Sequence, residues 1–241
     1  MMRILIAIVA PLLLVGCILS PGKFASTMTV NADRTFAFTY KGEVYASNPS
    51  EALKGVGDKP ATETPDADTK PAVYQIAAVN PKAGSAPDPE PTEDDETKNR
   101  EIAVALSKEH GYRSAVYQGK GKFLIDYAIT GTLTHNFQYP FNSDAGVVLP
   151  FVMIELRQGG TVRVKAPGYT NAETGSNPMG GGSMSKAAKL LDGVFTLDTD
   201  AEIVSQNNED GAKNAGSRRI ITWRATPLTK DAPTAVLRLK P

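Results

Sequence analysis

Residues 27–41 read TMTVNADRTFAFTYK, and the period of two in this stretch decides the fold class. Met28 and Val30 alternate with Thr27, Thr29 and Asn31, and then Phe36, Phe38 and Tyr40 alternate with Thr35, Ala37, Thr39 and Lys41. Successive side chains of an extended chain point to opposite faces, so each arm carries one apolar face and one wet face. The residues between the arms, Asn31-Ala32-Asp33-Arg34, form a turn cluster, because Asn and Asp satisfy tight turns with their own side chains. The pattern predicts an antiparallel hairpin as the N-terminal part of the main domain, residues 17–46.

The chain beyond residue 110 repeats this grammar. Arg113–Gln118 and Lys122–Leu133 flank Gly119-Lys120-Gly121, and Val147–Arg157 and Thr161–Ala166 flank Gln158-Gly159-Gly160, two hairpin signatures. Val194–Ser205, Arg218–Ala225 and Thr234–Lys240 read as three further strands. Thr92–His110 reads as a helix. Thr92 stands at its cap, four acids occupy its first turn where the helix dipole favours them, and Gly111 ends it. Ile102, Ala105, Leu106 and Glu109 form its expected stripe. Ser183–Leu191 reads as a second short helix, and Ser50–Val56 as a helical turn or two. The expected fold is α+β: one mostly antiparallel curved sheet of eight or nine strands with two or three packed helices, spread over residues 17–46 and 92–241.

Residues 47–91 differ in kind. They hold eight of the 17 prolines among Ala, Thr, Asp, Glu and Lys, too few apolar side chains for a core, and read as an exposed loop or disordered insertion. The apolar island Val73, Tyr74, Ile76 and Val79 within it admits either strand or helix. Charge is balanced over the whole chain but unevenly placed: residues 56–101 carry eleven acids against five bases, and residues 111–241 fifteen bases against eleven acids. So mild a basic excess over a whole domain is ordinary for a soluble body and does not point to nucleic acid.

At the other end, Met1-Met2-Arg3 gives a short positive start, and Ile4–Leu14 an apolar run broken only by Pro11. That is the length of a signal-peptide core and too short to span a bilayer. Leu14-Val15-Gly16-Cys17 follows, holding the one cysteine of the chain. The tetrad resembles the lipobox of bacterial lipoproteins, in which a small residue exposes the bond to a peptidase and the thiol takes diacylglycerol. The alternative is an ordinary cysteine at the end of a plain secretory signal or membrane anchor. On the lipobox reading residues 1–16 are a signal peptide and Cys17 is the lipidation site. Each buried CH₂ contributes about 0.8 kcal/mol and two acyl chains make a stable anchor. The first hairpin arm begins within about ten residues, so little tether separates body from membrane. Ile18 in place of Asp favours the outer membrane, facing the periplasm, in a Gram-negative source. Acylation of Cys17 leaves no thiol for a disulfide, a catalytic cysteine or a Cys/His metal cage.

No catalytic signature emerges. His110 and His135 are the two histidines; neither stands in a nucleophile context, and no G-x-S-x-G elbow is present. Asp126, Asp198 and Asp200 lie in strand-like surroundings and would have to converge in space to act as acid and base. Gly175–Ser183 is a glycine-rich loop before a helix but lacks the Walker order, and reads as a flexible loop. Gln206-Asn207-Asn208-Glu209-Asp210-Gly211 is rich in oxygen ligands, yet lacks the alternate acids and terminal Glu of a calcium loop and reads as a turn. The acidic start Glu93–Glu96 is read as dipole-matched rather than calcium-binding. No metal site and no cofactor are assigned. Phe123, Tyr127, Phe137, Tyr139, Phe141, Phe151, Phe195 and Trp223 read first as core; the alternative is a curved sheet enclosing a cavity for an apolar ligand.

With these residues placed, the lipobox, the hairpin Thr27–Tyr40 and the run Asp200-Ala201-Glu202-Ile203 … Asn207-Asn208 … Gly211 … Ile221-Thr222-Trp223 resemble proteobacterial envelope lipoproteins of unassigned function. The C-terminal half also resembles the LppM-like domain of bacterial lipoproteins, where an Asn-Gly turn precedes a strand ending in Thr-Val-Trp; here Asn207-Asn208 replaces that pair. The resemblance implies a β-rich body with helices that can hold lipid and has no enzyme activity, and it carries over no functional residues. The sequence thus leads to a non-enzymatic, membrane-anchored envelope lipoprotein. Its expected partners are membrane lipid through acylated Cys17 and an apolar ligand or envelope protein bound at the membrane surface. The alternatives are a scaffold using residues 47–91, and an atypical hydrolase around His135 with Asp126 or Asp198.

Overall fold

In a computed structural model of the chain, residues 18–47, 93–140, 150–170 and 188–240 are described. The signal segment, Cys17, residues 48–92, Phe141 and the glycine-rich stretch Gly175–Ser183 lie outside them.

The opening hairpin is present. β1 (Ile18–Val30) and β2 (Thr35–Ser47) pair antiparallel, from Val30 opposite Phe36 at the turn to Ile18 opposite Ser47, with an irregularity between Pro21 and Phe24. The turn uses the side chains the sequence offers: Asp33 Oδ1 accepts from the Thr35 N–H at 2.9 Å and from its hydroxyl at 2.7 Å. The inner-facing Met28, Val30, Phe38 and Tyr40 are completely buried. Each such side chain contributes roughly 1.5–3 kcal/mol of burial.

The remaining elements are α1 (Glu93–Leu106), β3 (Tyr112–Tyr117), β4 (Lys122–Thr132), β5 (Phe137–Tyr139), β6 (Val152–Arg157), β7 (Thr161–Lys165), β8 (Asp192–Thr199), β9 (Glu202–Gln206), β10 (Lys213–Ala215), β11 (Arg218–Ala225) and β12 (Thr234–Arg238). They form two sheets. One has seven strands in the order β10-β11-β8-β1-β2-β4-β3, the other five in the order β5-β6-β7-β12-β9. A single core joins them, with Phe38 of one sheet against Phe137 and Tyr139 of the other.

This corrects the expected single sheet. Val194–Ser205 is not one strand: β8 ends at Thr199 and β9 starts at Glu202 in the other sheet. Polar side chains hold the corner between them. The buried Thr199 hydroxyl donates to the Val30 carbonyl at 2.6 Å and accepts from the Ala201 N–H at 3.0 Å, while Asp200 Oδ1 accepts from the Ala32 N–H at 2.7 Å. Two strands of three residues each, β5 and β10, are too short to show a period. The split and these two raise the count among the described residues to twelve. The antiparallel rule has one exception: β8 runs parallel to β1.

The α+β class stands with strands dominant, but the described residues contain one α-helix rather than two or three. Of the expected second helix, residues 188–191 are described: Ala188–Leu190 is a 3₁₀ turn and Leu191 follows it, buried and outside any helix. The stripe of α1 is also displaced. Asn99 and Ala103 are buried and Leu106 partly so, whereas Ile102 and Ala105 are exposed. Positions 99, 103 and 106 follow the i, i+4, i+7 spacing of one helix face. Asn99 occupies that face because it bonds the Tyr117 hydroxyl at 3.4 Å, a polar contact that a search for apolar residues passes over.

Candidate functional site

The aromatic set is core. Phe123, Tyr127, Tyr139, Phe151, Phe195 and Trp223 are buried and Phe137 is half-buried. Tyr40 lies 5.4 Å from Tyr139 and 5.9 Å from Phe151, Phe24 stacks on Tyr169 at 4.2 Å, and Tyr169 leads through Phe195 to Trp223 in steps of 5.6 Å. Offset and tilted rings at such separations attract beyond simple burial. The described space between the sheets is filled by interlocking rings where the alternative reading wanted a cavity. Inside it the Tyr169 hydroxyl donates to Ser26 Oγ at 3.0 Å. Burial pushes the hydroxyls of Tyr40, Tyr139 and Tyr169 well above the ordinary tyrosine value, because a phenolate there would be stripped of water.

The catalytic candidates hold separate structural posts. Asp126 pairs with Lys41 at 3.6 Å. Asp198 pairs with Arg218 at 2.6 Å, and the same guanidinium reaches Asn31 Oδ1 at 3.0 Å. Asp200 serves the β8–β9 corner. His135 is exposed, its Nδ1 lying 3.0 Å from the Thr134 hydroxyl. Among the described residues no three His, Cys, Asp or Glu side chains converge as a metal site. Glu96 of the acidic helix start accepts from the Tyr117 hydroxyl and from the Lys120 N–H, each at 2.8 Å, and those two bonds lower its carboxyl below the usual range.

The oxygen-rich loop after β9 is a tie between strands. Asn207 Oδ1 accepts from the Trp223 indole N–H at 3.1 Å and the Thr234 N–H at 2.9 Å, and its amide donates to the Ala232 carbonyl at 2.8 Å. Asn208 donates from its side chain to the Thr222 carbonyl at 2.8 Å. The two asparagines thus bind β11 and the approach to β12 to the end of β9.

Two surface clefts stand out among the described residues. One, of about 300 Å³, lies at the β8–β9 corner between Thr199, Asp200, Ala201, Glu202, Ser217 and Arg219. The other, of about 320 Å³, is lined by Glu109, His110, Tyr112, Tyr127, Gln138 and Tyr139. Gly111 shapes it: with φ of +93° it turns the chain from α1 into β3, and a Cβ there would stand 2.5 Å from the Tyr127 ring. Tyr127 packs closely against the turn, its ring 4.9 Å from that of Tyr112 and 4.6 Å from that of Tyr139. Burial first, and then the Glu109 carboxylate, raise the Tyr112 and Tyr127 hydroxyls above the ordinary tyrosine value, so that carboxylate stands within electrostatic reach of both. The sequence singled out His110, Tyr127 and Tyr139 here for other reasons. Glu109 was read only as part of the helix stripe and Tyr112 and Gln138 carried no functional signal, because three separate segments meet at this cleft.

No protein-family model matches the chain, and no curated protein matches it. Among solved structures, the NMR structure of the folded domain of LppM from Mycobacterium tuberculosis aligns over 93% of this chain and 93% of that chain, at 16% identity and a TM-score of 0.32.

Proposed function

We propose that this chain is a bacterial envelope lipoprotein, anchored through acylated Cys17, whose β-rich body is a non-enzymatic binding module at the membrane surface. One observation carries the reading: Ile18, the residue after the lipobox cysteine, is the first residue of β1. β1 is an interior strand with β2 on one side and β8 on the other. β8 pairs with β1 only from Lys23 onward, so a diacylglyceryl group on Cys17 would join, with no linker, the end of β1 that β2 alone flanks, and hold the body against the headgroups. In a Gram-negative source Ile18 directs the anchor to the outer membrane, facing the periplasm. The structural posts held by Asp126, Asp198 and Asp200 support a non-enzymatic role, and the ring-filled core favours a ligand or protein partner held at the surface over one swallowed between the sheets.

The test is to express the full chain and its Cys17→Ser variant in a bacterial host and follow palmitate incorporation and membrane flotation. The wild type is expected to incorporate palmitate and float, and the variant to do neither. An unlabelled wild type, or a variant that floats equally well, overturns the anchor. Wild-type protein that leaves the membrane without any co-purifying lipid or protein counts against the binding module.

A further inference from the structure

The register of the seven-stranded sheet gathers exposed apolar side chains at the end where β1 begins. β8 runs parallel to β1 from Asp192 opposite Lys23, and β11 runs antiparallel to β8 with Ala225 opposite Gly193, itself opposite Phe24. The chain entering β8 and the chain leaving β11 therefore lie on neighbouring strands at that end. The first brings the 3₁₀ turn Ala188–Leu190, the second the turn Thr226-Pro227-Leu228-Thr229. Of the eight large apolar side chains exposed among the described residues, Leu228 is the most exposed at 86%. Leu190, at 42%, belongs to the adjoining turn.

An isolated exposed leucine is ordinary on a soluble surface. This one stands on a fixed turn. The Thr226 carbonyl accepts from the Thr229 N–H at 2.9 Å, Thr229 Oγ1 accepts from the Thr226 N–H at 2.9 Å, and Thr226 Oγ1 accepts from the Leu228 N–H at 3.3 Å. Pro227 has no N–H and a fixed φ. With its donors spent internally, the tip can enter a region poor in water without stranding them. The surrounding charge is positive on balance. Asp192 pairs with Arg224 at 3.1 Å, and the exposed Lys23, Lys189 and Lys230 then stand against Asp231. That balance suits anionic headgroups. The anchor of the proposed function brings a bilayer, rather than a protein, to this end. Three residues beyond Ala225, Leu228 reaches the level of Pro21 at most. The start of β1 at Ile18 therefore stands roughly 10 Å further out along the strand and about 10 Å to the side, two strand spacings away. A bilayer touching both is met at a slant.

We propose that Leu228 and Leu190 form a second membrane contact, seated among the headgroups so that the β8–β11 side of the sheet leans on the bilayer. The contact rests on the anchor reading, and it turns a tether into a fixed orientation.

Leu228→Cys, and Ser217→Cys at the exposed far end of β11, each supply a thiol for an environment-sensitive fluorophore. The full acylated chain is reconstituted in vesicles of phosphatidylethanolamine and phosphatidylglycerol, with and without nitroxide-labelled lipid. The probe at 228 is expected to shift to the blue and be quenched by the nitroxide lipid, and the probe at 217 to do neither. Leu190→Asp should remove most of the quenching at 228. Wild type, its thiol acylated, should take no dye; wild type that takes dye overturns the anchor reading and the contact built on it. On acylated protein, three results overturn the contact alone: like behaviour of the two probes, a blue shift at 228 without quenching, which marks a protein cover, and unchanged quenching in Leu190→Asp.

Discussion

Gly193→Ala probes the parallel ladder at the centre of the seven-stranded sheet. Gly193 lies opposite Phe24 in the β1–β8 register. A Cβ built on it would stand 2.1 Å from Phe24 Cε1, 2.3 Å from Cδ1 and 2.5 Å from Cζ, inside any tolerable contact. The phenyl ring has nowhere to go: it is 7% exposed, stacked on Tyr169 at 4.2 Å and facing Tyr40 at 5.5 Å. Relief therefore requires β8 to move from β1 or the whole ring column to shift. Overpacking of this kind costs about 1–3 kcal/mol. Alanine recovers about 0.4–1 kcal/mol by restricting the unfolded chain, which lowers the net but does not reverse it. Phe24→Ala alone should cost about 3–5 kcal/mol through the cavity it leaves. In that background the methyl group introduced by Gly193→Ala enters vacated space, so the second substitution should be neutral or mildly stabilising, a coupling of at least about 1 kcal/mol. Urea unfolding followed by the fluorescence of Trp223, the single tryptophan, reads this as a change in midpoint at constant slope. An equal cost in both backgrounds would show that the Phe24 ring is not what confines position 193.

Thr199→Val removes the hydroxyl that bonds both Val30 and Ala201, and should cost about 1–3 kcal/mol in urea unfolding, while Thr199→Ser keeps most of the stability. Asn207→Ala should free the indole N–H of Trp223 and raise hydrogen exchange at that proton and at the Thr234 amide, with little change elsewhere. Because Tyr40, Tyr139 and Tyr169 have folded pKa values raised above the ordinary 10.0, the folded chain keeps protons that the unfolded chain releases. Their contribution to stability should be constant up to about pH 10 and be lost above it, and the 295 nm absorbance of these tyrosines should rise only as the chain unfolds. Gly111→Ala strains a left-handed position and presses on Tyr127, so it should lower Tm and broaden the ring signals of the tyrosine cleft.

The alternation in residues 27–41 and the glycine turns at 119–121 and 158–160 made the hairpins legible, because each depends on nearest neighbours along the chain. The division into two sheets was not legible. It turns on Thr199 and Asp200, whose side chains are spent on Val30 and Ala32, residues about 170 positions earlier. Local alternation continues through that corner without a mark. The face of α1 was misjudged for a related reason: Asn99 packs inward on a hydrogen bond to Tyr117, and Ile102 is left exposed. The tyrosine cleft gathers residues from the α1–β3 turn, β4 and β5, three segments that no spacing rule connects. What the sequence did carry toward function was Leu14-Val15-Gly16-Cys17, and the structure adds that β1 begins at the next residue.

The parallel pairing of β1 with β8 also sets an order of events in the life of the chain. β1 leaves the synthesis machinery early and finds β2 at once through a four-residue turn, but its other edge stays bare until Asp192–Thr199 has emerged. Pairings across so long a stretch form slowly, and an unpaired strand edge is adhesive meanwhile. Until then the growing sheet, with β4 and β3 added beyond β2, keeps its β1 edge open. A chain cut short before residue 192 would leave that edge open permanently and aggregate, whereas a loss confined to β10 removes only the outermost strand of the sheet.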